Sequence, residues 1–289
     1  MYPLRFLAFC ILGMVYTSCS SIHNYFFKKK ENTEIFPYSP PYTVIYSGKE
    51  EIPDRTVYLT FDDGPTFLSS KILDILNKEN IRATFFICAK LKKEKSRFQV
   101  FKTPLIRMVQ EGHVIGNHTF SHPNLSGLSD KKILHEIQLN QELLDEALGT
   151  RSPKMIFIRP PFGIPWKGNR SEKERQRVLN ILKNEGIIVM WNLNSKDAND
   201  WVSGEWYEEG KRINPTSLAF QKKRKKMYQH IRNEVNGKGL IILFHDTHNT
   251  SLEVLPELIK LFKEQNYKFQ TIREYFIWKH AKNKELPKN

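Results

Sequence analysis

Two short segments of this chain hold residues of the right type and spacing for hydrolytic chemistry. Asp62-Asp63-Gly64 follows an apolar run, and His118-Thr119-Phe120-Ser121-His122 comes further on. Asp63, His118 and His122 are ligands that zinc or another divalent metal accepts. Two His and one carboxylate with an open position for water is a recurring hydrolytic arrangement. Asp62 is then a spare carboxylate, able to take that water's proton. Each segment also has a plainer reading. An Asp-Asp-Gly triplet is a common turn, because Asp and Gly suit tight backbone geometry. The two histidines are one helical turn apart, but Asn117, Ser121 and Pro123 around them suit a loop, and the Glu of a helical HExxH protease motif is missing.

Stepping outward from these residues, the pattern alternates between β-rich runs and helical spacing. Strands are expected over 56–61, 83–88, 114–117, 156–159, 187–192, 240–244 and 267–271. Between them helices are expected over 68–77, 104–111, 129–148, 172–185, 217–235 and 252–265, with Ser129 as a cap and Gly112, Gly149 and Gly186 as stops. Alternating strands and helices imply βαβ units and a mainly parallel sheet. The expected fold is α/β: a single distorted, roughly seven-stranded (β/α) barrel. Asp62, Asp63, His118, Arg159, Asp197, Asp200 and His245 all fall at or just beyond the C-terminal ends of strands, the face that carries the chemistry in such barrels.

The chain has 289 residues, is 40% hydrophobic and carries a formal net charge of +14. That length and apolar content suit a globular protein with a substantial core. The charge favours anionic partners such as acidic envelope polymers or anionic lipid. Its clusters, Lys28-Lys29-Lys30, the stretch from Lys90 to Lys95, and Lys222-Lys223-Arg224-Lys225-Lys226, read equally as solvated faces. No zinc-finger spacing or aromatic RNA-binding signature accompanies them, so no specific nucleic-acid partner is expected.

Residues 1–19 read as an export signal: Arg5 precedes an apolar run over 6–15, too short to span a bilayer comfortably. Ser18-Cys19 resembles a lipoprotein cleavage site, although Tyr16 stands where an aliphatic residue is usual. A lipid on Cys19 beside Lys28 to Lys30 would combine chain insertion with attraction to anionic lipid, so membrane contact through this segment is expected. Residues 20–54, rich in Pro, Ser, Tyr and Lys, read as a tether, 55–280 as the catalytic domain and 281–289 as a tail. Of three Cys, only Cys88 lies beyond the signal region; it reads as a buried core thiol, without a disulfide framework. The sequence says nothing of oligomeric state.

Five segments in chain order resemble the motifs of the polysaccharide deacetylase family (the NodB-homology domain, carbohydrate esterase family four). They are Thr60-Phe61-Asp62-Asp63-Gly64, His118-Thr119-Phe120-Ser121-His122, Arg159-Pro160-Pro161-Phe162-Gly163, Asp197-Ala198-Asn199-Asp200-Trp201 and Leu243-Phe244-His245. The resemblance covers nearly all of the chain from Thr56 to Tyr275. It implies an exported, metal-dependent hydrolase that removes N-acetyl groups from an envelope or extracellular glycan, with peptidoglycan N-acetylglucosamine first and chitin-like polymers second. It further implies Asp63, His118 and His122 as ligands of a divalent metal, zinc first and cobalt as another candidate. Asp62 would be the base, His245 the acid that protonates the leaving amine, and the Phe162 backbone N–H an oxyanion donor. Arg159 would pair with Asp62 and Asp200 with His245, while Trp201 and Leu243 would line the acetyl pocket. An O-acetyl esterase of the same architecture and a non-catalytic glycan-binding protein are the alternatives. Trp166, Trp191 and Trp206 are candidate sugar platforms, with Trp191 placed by its apolar strand in the core.

Overall fold

The strand β1 (Thr56–Asp62) is buried along its whole length. A strand buried on both faces belongs at the centre of a parallel sheet, covered by helices. The computed structural model puts it there, and describes residues 36–90, 96–168, 170–198 and 216–285. The described residues from Tyr38 onward belong to one compact unit. The expected signal segment, with Cys19, lies outside the described residues. Among the described residues no helix is long and apolar enough to cross a membrane.

The other strands are β2 (Thr84–Ile87), β3 (Val114–Asn117), β4 (Phe157–Ile158), β5 (Ile187–Ile188), β6 (Leu193–Asn194), β7 (Leu240–His245) and β8 (Lys268–Phe269). Seven run in the spatial order β5-β4-β3-β2-β1-β7-β6, all neighbours parallel, and β8 pairs with the start of β1. The stretch expected as one strand over 187–192 is split. Its first two residues form β5 at one end of the order, and β6 begins just after it at the other. Residues 189–192 alone join the two ends, a reach of about 17 Å at ~3.5 Å per residue. Seven flat strands would span roughly 29 Å at ~4.8 Å per spacing. The sheet therefore curls into the distorted barrel that the alternation of elements predicts.

Helices α1 (Phe67–Lys78), α2 (Arg97–Val100), α3 (Lys102–Gln110), α4 (Asp130–Leu148), α5 (Glu172–Glu185), α6 (Leu218–Glu234), α7 (Asn249–Glu264) and α8 (Ile272–Glu285) complete the described part. Thr66 opens α1 with a capping box shared with Ser69. Ser129 takes the N-cap position of α4 but makes no side-chain cap bond; Asp130 supplies the favourable charge in that first turn. Ile72, Leu73 and Leu76 of α1 and Leu255, Leu258 and Phe262 of α7 pack on the sheet in one core. In its centre Phe61 stacks between its register partners Phe85 and Phe244, at 5.1 and 5.6 Å between centroids. Each such ring contributes roughly 1.5–3 kcal/mol by leaving water.

Two boundaries differ from expectation. The tail expected from 281 is helical to Glu285, because α8 buries Ile272, Tyr275 and Phe276 at helical spacing. The tether expected to run to residue 54 is bound to the barrel over its second half. Tyr42, Tyr46 and Ile52 are buried, and Tyr46 bridges to Val189 in parallel. Prolines keep this stretch out of a helix, but three apolar anchors and a free sheet edge give it a place to bind.

Candidate active site

Strand register creates the site. Asp62 ends β1 directly opposite His245, which ends β7. Ile87 of β2 lies opposite Asn117 of β3, so His118 emerges one residue later on the same rim. Asp62, Asp63, His118, His122, Phe162, Leu243 and His245 meet in a cleft of about 580 Å³. Arg159 fills the barrel interior beneath them.

The segment 118–122 is a loop, as its composition suggests. Thr119 and His122 both have left-handed backbones, at φ 69° and 55°. Such geometry costs on the order of 1–3 kcal/mol per non-glycine residue and needs outside support. Helix α4 supplies it. Asn140 donates to the Asn117 side chain, whose oxygen also accepts from the Thr119 N–H. Glu136 accepts from the Ser121 N–H and hydroxyl at 2.7 and 2.6 Å, while its carbonyl accepts from the Phe120 N–H. Glu136 and Asn140 were not singled out from sequence; their signal is two polar residues four apart on a face that also buries Ile133 and Ile137.

His118 Nδ1 lies 2.6 Å from the Arg159 carbonyl. A carbonyl only accepts, so Nδ1 carries a proton, and in the neutral ring Nε2 is the atom with the lone pair. His118 Nε2 and His122 Nε2 each lie 3.4 Å from Asp63 Oδ1, and one ligand atom from each residue falls within 4.8 Å of the others. Burial, and then the neighbouring His118, push His122 down to about 4, so its ring is neutral at pH 7. Burial alone would raise the Asp63 carboxyl, but His118, His245 and His122 hold it well below the usual range. Asp63 Oδ1 is buried with no hydrogen-bond partner among the described residues. An orphaned carboxylate oxygen facing two imidazole lone pairs is a donor set for a divalent cation.

Asp62 and His245 are held by opposite charges. Arg159, wholly buried, donates from Nη1 to Asp62 Oδ1 at 2.8 Å and to Thr60 Oγ1, from Nε to the Val189 carbonyl, and from Nη2 to the Met190 carbonyl. Asp62 Oδ2 remains on the cleft side, 3.7 Å from His118 Nε2. His245 Nδ1 bonds to Asp197 Oδ1 at 2.8 Å, and Asp197 Oδ2 accepts from the His245 N–H and the Ser251 hydroxyl. Burial would lower the His245 pKa; the Asp197 charge and hydrogen bond, then Asp63 and Asp62, raise it to about 10. Among the described residues His245 thus pairs with Asp197; the sequence reading had Asp200 as its partner. Asp200 and Trp201, with Trp206, lie outside the described residues. Asp197 is the first carboxylate after β6, whose pairing with β7 places it beside His245.

Phe162 has a left-handed backbone at φ 58° and stands edge-on to His122 at 4.5 Å. Leu243 is buried at the cleft floor. Trp191, expected in the core, instead lines the cleft with Lys167 over its ring at 4.6 Å; Trp166 packs on a helix-side cluster. Cys88 is buried and reduced, as expected.

The chain is similar to known proteins. A family model described as polysaccharide deacetylase matches residues 49–172. The chain is 31% identical over 254 residues to the peptidoglycan-N-acetylmuramic acid deacetylase PdaC of Bacillus subtilis, covering 86% of this chain and 45% of that protein. It thus spans less than half the length of PdaC. It is 32% identical over 235 residues to a peptidoglycan-N-acetylglucosamine deacetylase of Bacillus cereus, covering 80% of this chain and 77% of the relative. The solved structure of Bacillus subtilis PdaC superposes with a TM-score of 0.58 at 27% identity, over 80% of this chain and 95% of that one.

Proposed function

The chain belongs to the polysaccharide deacetylase family, and on that premise we propose that it hydrolyses N-acetyl groups of an envelope glycan, N-acetylglucosamine units of peptidoglycan before chitin-like polymers. The observation that carries the reading is the orphaned Asp63 oxygen facing two imidazole lone pairs beside an Arg-held carboxylate and an Asp-held imidazole. Asp63, His118 and His122 would hold a divalent cation, zinc first. When bound there, such an ion supplies Lewis acidity, which makes water a nucleophile near neutral pH.

The chain's own groups divide the remaining work. Arg159 occupies Asp62 Oδ1, which leaves Oδ2 to accept the proton of the attacking water. Water adds to the amide carbon, and the Phe162 backbone N–H faces the developing oxyanion. Asp197 occupies His245 Nδ1, so Nε2 delivers a proton to the amine as the C–N bond breaks. The products are acetate and a free amino sugar. Leu243 and, by the family resemblance, Trp201 would border the methyl group. The basic charge suits an anionic polymer, and residues 1–19 would carry the protein to the envelope, with Cys19 as the lipid anchor.

The test is acetate release from N-acetylglucosamine oligomers and peptidoglycan by zinc-loaded protein without the signal segment. Release that stops on chelation and resumes with zinc is expected. Release from O-acetylated sugars alone would make it an esterase; tight glycan binding with every acetyl group left in place would make it a binding protein.

A further inference from the structure

The strap over residues 42–52 lies mostly ahead of the residues that the family model matches, and composition alone assigns it to a tether. Its contacts lead to the catalytic centre. The Tyr46 N–H donates to the Ile188 carbonyl at 2.9 Å, and the Met190 N–H donates to the Tyr46 carbonyl at 2.8 Å. On its other side the same segment is tied to β4, where the Val189 N–H donates to the Ile158 carbonyl. Residues 188–190 are therefore clamped between β4 and the strap. The Val189 and Met190 carbonyls of this segment are the two backbone acceptors that hold Arg159 Nε and Nη2. Arg159 in turn holds Asp62.

The strap is itself firmly seated. Tyr46 is fully buried and meets Tyr275 of α8 edge-on at 5.3 Å; the Tyr275 hydroxyl donates to the Glu51 carbonyl. The Tyr42 N–H donates to the Lys183 carbonyl, and Lys279 Nζ to the Ile45 carbonyl. Gly48 has a left-handed backbone at φ 100°, and a Cβ there would lie 2.6 Å from the Trp191 carbonyl. The strap thus also backs Trp191, a wall of the cleft whose ring lies 5.6 Å from the Arg159 guanidinium.

We propose that this strap is a positioning element of the catalytic centre: by clamping residues 188–191 it fixes the carbonyls that aim Arg159 at Asp62. The proposal rests on the deacetylase reading for its kinetic consequence, but its structural consequence stands without it. A displaced strap releases the connection that spans β5 and β6, and the two carbonyls that hold Arg159 belong to that connection.

Gly48→Ala forces the strap away from Trp191, and Tyr46→Ala removes its buried anchor. Leu105→Ala, in the α3 core away from the cleft, serves as a control for general loss of stability. Two quantities are compared for folded protein well below each melting temperature. One is solvent exchange of the Arg159 Nε–H, followed by nuclear magnetic resonance on metal-free protein and assigned with Arg159→Lys. The other is kcat and KM for acetate release by zinc-loaded protein. Both strap variants should exchange the Arg159 proton about tenfold faster or more, and lose about ten- to hundredfold in kcat with KM little changed. Leu105→Ala should lower the melting temperature and change neither. Unchanged exchange in both strap variants, or exchange accelerated equally by Leu105→Ala, would overturn the proposal. If the wild type releases no acetate, the deacetylase reading fails and the exchange rates still decide the role of the strap.

Discussion

Asp62 and His245, the proposed base and acid of this cleft, stand on neighbouring strands, opposite each other in register, yet they are held from different distances. Asp62 takes its partner from β4, three places along the sheet, so Arg159 must cross the barrel interior to reach it. His245 takes its partner from the loop after β6, the adjacent strand. The base side is fully enclosed, and its guanidinium is tied to four acceptors. On the acid side the His245 side chain keeps 16% of its surface exposed over a buried Asp197. A buried anion beside the imidazole favours its charged form, while Arg159 fixes one oxygen of the Asp62 carboxylate and leaves the other toward the cleft. The difference in reach implies that the base side depends on the whole barrel, and the acid side on one local loop.

The strongest way to sharpen that contrast is Asp62→Asn, which keeps size and hydrogen bonding but removes the base. Acetate release should fall by about 10²–10⁴-fold, while zinc still binds in a chelator competition. Loss of zinc binding together with activity would place Asp62 among the ligands. Next comes Arg159→Leu, which strips the enclosed side of its cation and leaves Asp62 and two carbonyls without their partner. Breaking a buried pair in this way should cost about 3–5 kcal/mol, read as a lower melting temperature and denaturant midpoint. A near-normal melting curve would show that the base side is not held by the barrel as a whole.

The acid side should respond through pH. His245 is charged below its raised pKa and loses its donating proton above it, so activity ends on an alkaline limb. Asp197→Asn removes the main group that raises this pKa, so the limb must move to lower pH. A bound divalent cation repels the imidazolium and lowers the limb in both proteins, without reversing the shift. About tenfold less activity at pH 8 with nearly full activity at pH 6 is expected. An unmoved limb would mean that another group sets it. The smallest effect belongs to Asn140→Ala, which removes one of the ties between α4 and the histidine loop and leaves those of Glu136. A stability loss of about 1–3 kcal/mol and weaker zinc binding are expected, with kcat preserved at saturating zinc.

Much of this was legible in the chain. Phe61, Phe85 and Phe244 announce buried strands, because continuous apolar runs between helical stretches have few other uses. Asp62, Asp63, His118, His122 and His245 stand at the ends of such runs, so the rim of the barrel could be drawn before any coordinates. What was misplaced has a common cause. Asp197 and Asp200 are three residues apart in the chain, and spacing cannot say which carboxylate faces a neighbouring strand. Residues 42–52 look like a linker because polar and proline content is counted along the chain, whereas Tyr42, Tyr46 and Ile52 find their partners across it.

By itself, then, the sequence determined the chemical kinds present, their order and the element that each one ends. These follow from side-chain type and local periodicity, which act over a few residues. The Arg159–Asp62 pair was expected from the family resemblance and not from spacing; only the tertiary structure decided the other meetings: Asp197 with His245, Asn140 with the histidine loop, and the strap with the connection from β5 to β6. Those meetings depend on strand order and on how far the sheet curls, and both are set by burying many residues at once.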